Sequence, residues 1–152
     1  LVLACRAKTP RARDAERALR ERTHGLGTTE RTAWLGETAR ILELLGAADI
    51  VALPAEHAYA KMDYPLVLLE AMGLGRPVLV AANTPAAELA EGGAAIAVEP
   101  RADAVAGALA RLFADGAERE RVGISGRNLV LSAHSRERMA EAYELLYDAL
   151  LP

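Results

Sequence analysis

The stretch from Asp49 to Asn83 reads DIVALPAEHAYAKMDYPLVLLEAMGLGRPVLVAAN and determines the fold. It opens with an apolar run typical of a buried strand, Asp49–Leu53, and closes with a second one, Val78–Ala82. Between them we expect a polar loop and an apolar helix from Tyr64 to Met72, ended by a glycine turn. This order is that of a βαβ unit with parallel strands. Glu70 is the one carboxylate inside the otherwise apolar helix.

The same alternation of strand and helix runs through the whole chain. Apolar runs predict further strands at Leu1–Cys5, Arg31–Leu35 and Ala94–Val98. Helical spacing and helix-start residues predict helices at 11–22, 38–47, 85–91, 103–114, 117–131 and 136–150. The pattern predicts an α/β fold, a Rossmann-like, doubly wound parallel sheet flanked by helices, with further helices at the C-terminal end. We expect residues 1–152 to form one domain.

Some residues carry expectations about burial. The last helix, Arg136–Leu150, has an amphipathic stripe that we expect to dock on the core, and Phe113 is expected on the apolar face of its helix. Cys5 lies in a predicted strand, so we expect it to be buried as a small hydrophobe. Gly123 and Gly126 are expected to be weak points of the helix that contains them.

Composition excludes several classes of protein. The net charge of −3 argues against a nucleic-acid-binding face. The chain has no run of 18 apolar residues, so no membrane span is predicted. A single cysteine excludes an internal disulfide. The chain has no dinucleotide-binding glycine motif and no P-loop. No cluster has metal-ligand spacing, so no metal or other cofactor is expected.

Ligands of open parallel sheets bind at the carboxyl ends of the strands, where helix N-termini point outward. The helix that opens near Pro65 is therefore the better candidate for an anion site, because the amides of Leu66, Val67 and Leu68 are expected to be free. Asp63 stands where an N-cap would, and its carboxylate would compete for the same amides.

Glu70 has two interpretations. It lies either on a solvated helix face or at a crevice, where a carboxylate can accept hydrogen bonds from two sugar hydroxyls. Lys61 and His57 precede it in the polar loop. Each is either solvated or placed to meet phosphate charge or to transfer a proton.

The segment PLVLLEAMGLGRPVLV, residues 65–80, resembles the signature of retaining GT-B glycosyltransferases of the group 1 (family 4) type, roughly E-x-F-G-L-P-L-L-E-A-M-A-C-G-x-P-V-V. Residues 47–54 are similar to the strand before that motif, and Trp34-Leu35-Gly36 is similar to the family's F-L-G strand. Glu88 corresponds to a further family glutamate. The resemblance covers nearly the whole chain.

The resemblance implies the donor-binding C-terminal half of a two-domain hexosyltransferase. The donor would be a UDP-, GDP- or ADP-sugar, used without a metal, and the acceptor a saccharide or lipid-linked molecule bound by the other half. Glu70 would bind the ribose hydroxyls, and Lys61 and Asp63 would be catalytic. The residues expected to contact the nucleotide-sugar are Glu70, Leu66, Val67, Pro65, His57, Gly36 and Thr84. The implied location is the cytoplasm, with a peripheral place at the inner membrane face as the alternative.

The chain departs from the family pattern around the expected donor sugar. Met62 stands where the family has its first glutamate, Tyr64-Pro65 replaces Phe-Gly, and Thr84-Pro85 replaces Gly-Gly. The family's first βα unit has no counterpart before Leu1, so we expect a fragment that is inactive alone. Two alternatives stay open, a non-catalytic interaction domain of this fold and a relative resembling a nucleotide-sugar epimerase.

Overall fold

A computed structural model of the chain describes residues 1–55 and 65–151. By their contacts these residues form two compact units, residues 1–41 and the chain from residue 42 onward. Each unit is a parallel α/β structure with its own sheet. The organisation of residues 1–152 as a single domain stays a prediction.

The first unit contains two short parallel strands joined by one long helix. Strand β1 is Val2–Leu3, helix α1 is Pro10–Gly25, and strand β2 is Ala33–Trp34, preceded by a 3₁₀ turn. The amide of Leu35 donates to the carbonyl of Leu3 at 3.0 Å, which extends the ladder by one residue. Helix α1 begins where the sequence predicts it, because the Thr9 hydroxyl accepts a hydrogen bond from the Ala12 amide at 3.1 Å.

The second unit contains a three-stranded parallel sheet in the order β3-β4-β5, with helices around it. Its strands are β3 (Val51–Leu53), β4 (Val78–Ala81) and β5 (Ile96–Val98), and its helices are α2 (Ile41–Ala47), α3 (Leu66–Gly73), α4 (Ala102–Ala114), α5 (Gly116–Ala133) and α6 (Arg136–Leu150). A 3₁₀ segment, Pro85–Gly93, replaces the α-helix expected after β4. Because strands and helices alternate in the predicted order, the parallel α/β fold is confirmed.

The core of the second unit surrounds strand β4, the central strand of the sheet. All four residues of β4 are buried, as a near-continuous apolar run in a parallel sheet predicts. The largest fully buried side chains outside β4 and the other strands come from α3, the 3₁₀ segment, α4 and α5: Leu68, Met72, Leu89, Leu112 and Val122.

Two glycines bring helix α5 against the backbone of the sheet connections. A Cβ atom built on Gly123 would lie 2.2 Å from the carbonyl oxygen of Gly75, in the turn between α3 and β4. A Cβ on Gly126 would lie 2.8 Å from the carbonyl oxygen of Ala94, and 3.4 Å from Cγ of Met72. The expectation that these glycines are weak points is therefore wrong, since α5 is continuous through both of them. They are the positions of closest packing.

Several burial expectations are also wrong. Cys5 is exposed because strand β1 ends at Leu3, before the cysteine. Helix α6 has no buried residue among those the structure describes, so its apolar stripe does not dock on the core. Phe113 is 60% exposed, while its neighbour Leu112 points into the core.

We expect Gly123→Ala and Gly126→Ala to destabilise the protein by about 1–3 kcal/mol each, because a methyl group would collide with backbone oxygens that cannot move cheaply. The measurement is the free energy of unfolding in urea. Gly107→Ala in α4 is the matched control, since a Cβ there meets nothing within 4 Å. That control should be stabilising by up to about 1 kcal/mol, as alanine favours helix. Equal stability of all three variants would contradict the close packing.

Candidate functional site

At the start of helix α3, two backbone amides have no partner among the residues that the structure describes. Its N-cap is Pro65, at φ −58° and ψ 125°, whose own side chain makes no capping hydrogen bond. The amide of Leu68 donates to the Pro65 carbonyl at 2.9 Å, so the expectation that this amide is free is wrong. The amides of Leu66 and Val67 have no partner within residues 1–55 and 65–151. Among the described residues, nothing competes with an anion for these two donors and for the positive end of the helix dipole.

Glu70 lies on the outer face of the same helix. The inner face is formed by Leu68, Ala71 and Met72, which are buried. Glu70 is only partly buried, and within the part of the chain that the structure describes its carboxylate has no hydrogen bond or ion pair. Leu66 and Leu74, four residues to either side, are 60% and 41% exposed. The outer face is therefore an apolar surface with one carboxylate that no described residue pairs with.

The start of α3 lies toward the carboxyl edge of its sheet. Strands β3 and β4 are parallel and in register, with Leu53 opposite Val80, so both end at that edge. Helix α3 follows the end of β3 and returns the chain to the beginning of β4, which directs its N-terminus to the same edge. Ligands of parallel sheets bind at this edge.

Thr84 follows β4 at the same edge. Its hydroxyl donates to the carbonyl of Ala81 at 3.0 Å, and its own carbonyl accepts from the amide of Ala87 at 2.9 Å. The hydroxyl thus stabilises the turn after β4. It keeps its capacity to accept a hydrogen bond, but its donor is already used.

Gly36 belongs to the first unit, where it follows strand β2 with φ 64°. It lines an open cleft of about 490 Å³ together with Cys5, Arg6, Ala7, Arg13, Glu16, Arg17 and Arg20. Because β1 and β2 are parallel, the residues that follow them lie at the same edge of that sheet. We call this cavity the arginine cleft.

The arginines of this cleft are not among the site residues predicted from the sequence. Arg13, Arg17 and Arg20 follow one another at intervals of four and three residues, which places them on one face of α1. That spacing was the available signal. The catalytic residues expected from the sequence, Lys61 and Asp63, lie outside the described residues, as does His57.

The described residues contain no group of three His, Cys, Asp or Glu side chains that could hold a metal ion. Within the same ranges, no helix is long and apolar enough to cross a membrane.

Comparison with known proteins identifies the family. A family model described as Glycosyl transferases group 1 matches residues 2–115, well over half of the chain. The chain belongs to the group 1 glycosyl transferases. No curated protein matches the chain significantly.

Solved structures of the same fold include parts of larger proteins. Sucrose-phosphate synthase from Thermosynechococcus elongatus is 23% identical with a TM-score of 0.78, over 98% of this chain and 38% of that one. Anabaena HepE in complex with UDP is 23% identical with a TM-score of 0.77, and the match covers 93% of this chain and 38% of HepE. The C-terminal domain of the group 1 family protein LpcC from Francisella tularensis is 24% identical with a TM-score of 0.73. The match covers 84% of this chain and 66% of that domain's chain.

These likenesses show that the group 1 chain has the fold of a GT-B C-terminal domain. The chain spans 38% of the length of each of the first two structures, so it corresponds to part of those proteins.

We expect Glu70→Gln to change the free energy of unfolding by no more than about 0.5 kcal/mol, since Glu70 has no partner among the described residues to lose. Glu118→Gln is the comparison, because Glu118 is paired with Arg111 at 3.2 Å and its side chain is 17% exposed. That variant should lose about 0.5–1 kcal/mol. Urea unfolding of both variants checks the difference. A large loss at Glu70 alone would reveal a structural ion pair.

Proposed function

We propose that this chain is the nucleotide-sugar-binding domain of a retaining glycosyltransferase that transfers a hexose to a saccharide or lipid-linked acceptor. Membership of the group 1 family supports the reaction class. The observation that carries the proposal is the outer face of α3, where the amides of Leu66 and Val67 precede the carboxylate of Glu70 and none of these groups has a partner in residues 1–55 and 65–151. Both features are unexplained by the packing of the fold.

The spacing of these groups suits a nucleoside diphosphate. Leu66 and Glu70 are four residues apart, which is about 6 Å along a helix with a rise of 1.5 Å per residue. Diphosphate oxygens at the helix start would accept from the two amides. The ribose, attached to that diphosphate, would then donate from its hydroxyls to Glu70 in charge-assisted hydrogen bonds. Pro65, which has no N–H group, would contribute only shape.

The chemistry requires stabilisation of the departing diphosphate. Fixed dipoles and charges aimed at developing negative charge are a large term in many enzymes, and the start of α3 would supply part of it. We propose Lys61 as a second source and Asp63 as a carboxylate near the reacting sugar. His57 and Thr84 are proposed donor contacts, and Gly36 a contact of the base. No metal is required by this set.

The relatives suggest which donors to test first. The structures of HepE are complexes with UDP and with UDP and glucose. UDP is therefore the first nucleotide to test on this chain, with GDP and ADP beside it. In the alternative of a non-catalytic interaction domain, Glu70 would be a structural carboxylate held by an arginine. The lack of such a partner in the described residues disfavours that alternative.

The test is calorimetric titration of the full-length natural protein with UDP, GDP and ADP. At least one should bind, and Glu70→Gln should weaken it by about 10- to 100-fold, because hydrogen bonds to a charged group contribute about 1.5–3 kcal/mol. The 2′,3′-dideoxy form of the same nucleotide lacks the hydroxyls. Its affinity should be equally low in both proteins.

Glu120→Gln is the matched control, since Glu120 is exposed on α5. It should leave every affinity unchanged. Absence of binding by all three nucleotides to the natural protein would overturn the proposal. An equal loss of the ordinary and the dideoxy nucleotide in Glu70→Gln would remove Glu70 from the ribose.

A further inference from the structure

The loops that follow strands β1 and β2 separate where the ladder between the two strands ends. The last backbone hydrogen bond of the ladder runs from the amide of Leu35 to the carbonyl of Leu3 at 3.0 Å. Beyond it, no backbone hydrogen bond joins residues 4–8 to residues 36–40, all of which the structure describes. The segment 36–40 begins at Gly36, which has φ 64°. We call this segment the Gly36 loop.

An ion pair connects the two loops where the backbone does not. A guanidinium nitrogen of Arg6 donates to the carboxylate of Glu37, which lies 31 positions further along the chain. Arg6 and Gly36 both line the arginine cleft, whereas Glu37 does not. The pair therefore ties the residue next to Gly36 to the loop after β1.

The Gly36 loop has a second hydrogen bond within itself. The amide of Arg40 donates to the Thr38 hydroxyl at 3.1 Å, which shapes residues 38–40 and leaves Gly36 outside the turn. Glycine populates positive and negative φ about equally and loses more conformational freedom on ordering than any other residue. The restraint on Gly36 therefore comes from its two neighbours, Leu35 in the ladder and Glu37 in the ion pair.

The exposure of the ion pair limits what it contributes to the whole fold. The side chains of Arg6 and Glu37 are 48% and 67% exposed, and ion pairs in contact with water add little to global stability. Their effect is local. A backbone that is ordered before a ligand arrives removes an entropic cost from binding. Such a pair can be nearly neutral for folding and still raise the affinity for a ligand.

We infer that Arg6 and Glu37 are a positioning pair, which holds Gly36 in its left-handed conformation for the donor. The inference rests on the proposed function, in which Gly36 contacts the nucleotide-sugar. Arg6 acts through Glu37, and Glu37 acts through the backbone of Gly36. A direct contact of Arg6 with the diphosphate predicts the opposite result when the pair is broken, because the guanidinium would then be released for the ligand.

The test is calorimetric titration of the full-length natural protein with UDP, GDP and ADP, followed by titration of each variant with the tightest of them. Glu37→Gln removes the charge of the pair and leaves Arg6 in place. It should weaken binding by about 5- to 30-fold, which is the cost of ordering the backbone of about one residue again. The combined variant Arg6→Glu with Glu37→Arg restores the pair with reversed charges. It should bind within about threefold of the natural protein, since the two substitutions are coupled.

Glu21→Gln is the matched control, because Glu21 is an exposed carboxylate of α1 that does not line the cleft. It should leave the affinity unchanged. Urea unfolding checks that every variant is folded, since an exposed pair should change stability little. Equal or tighter binding by Glu37→Gln overturns the inference and leaves the proposed function standing. A loss that the reversed pair does not recover also overturns it. Failure of every nucleotide to bind the natural protein overturns both proposals.

Discussion

The second unit depends on a direct contact between helix α5 and the backbone of the sheet connections. Gly123 faces the carbonyl of Gly75, and Gly126 faces the carbonyl of Ala94, with no room for a side chain at either place. Interiors this tightly packed transmit displacement from one element to the next. The α3–β4 turn and the segment before β5 are therefore fixed against one helix, and β4 between them is buried along its whole length.

This contact also determines how α3 presents its outer face. Met72, at the C-terminal end of α3, approaches the Gly126 position of α5, so the inner face of α3 is held while the outer face stays uncovered. The amides of Leu66 and Val67 and the carboxylate of Glu70 are then carried by a packed helix and not by a loop. Rigid presentation of a few polar groups is what a binding site needs, because their arrangement does not have to be created when the ligand arrives.

The positions of strands and helices could be predicted from sequence because their signals are local. Apolar runs such as residues 78–82 mark buried strands, and Thr9-Pro10 marks the beginning of α1. The burial of side chains was harder to predict, because it depends on partners far along the chain. Cys5 lies in an apolar run but beyond the end of β1, and α6 has an amphipathic pattern with no described residue of the chain covering it. A periodic stripe indicates that a face can be buried and does not indicate against what.

The candidate site also has features that could be predicted from sequence and features that could not. The motif around Glu70 indicated the helix and its carboxylate, because both follow from neighbouring residues. The role of Gly123 and Gly126 could not be read locally, since a helical glycine looks the same in sequence whether it weakens a helix or admits a neighbour. The ion pairs of the arginine cleft were equally hidden where they join distant residues, as Arg6 does with Glu37. Which charged side chains pair across a fold can be predicted only once the fold is known.

Pro65 gives the start of α3 a thermodynamic property that the free amides alone would not have. Its ring holds φ near the observed −58° in the unfolded chain as well as in the folded one. Less conformational entropy is therefore lost when this turn becomes ordered. Compared with a flexible glycine at this position, proline lacks one N–H donor and restricts the backbone at the N-terminus of the helix. Any anion that meets Leu66 and Val67 should then bind with a small entropic penalty for ordering the protein, visible in calorimetry as a binding entropy less unfavourable than that of a Pro65→Gly variant.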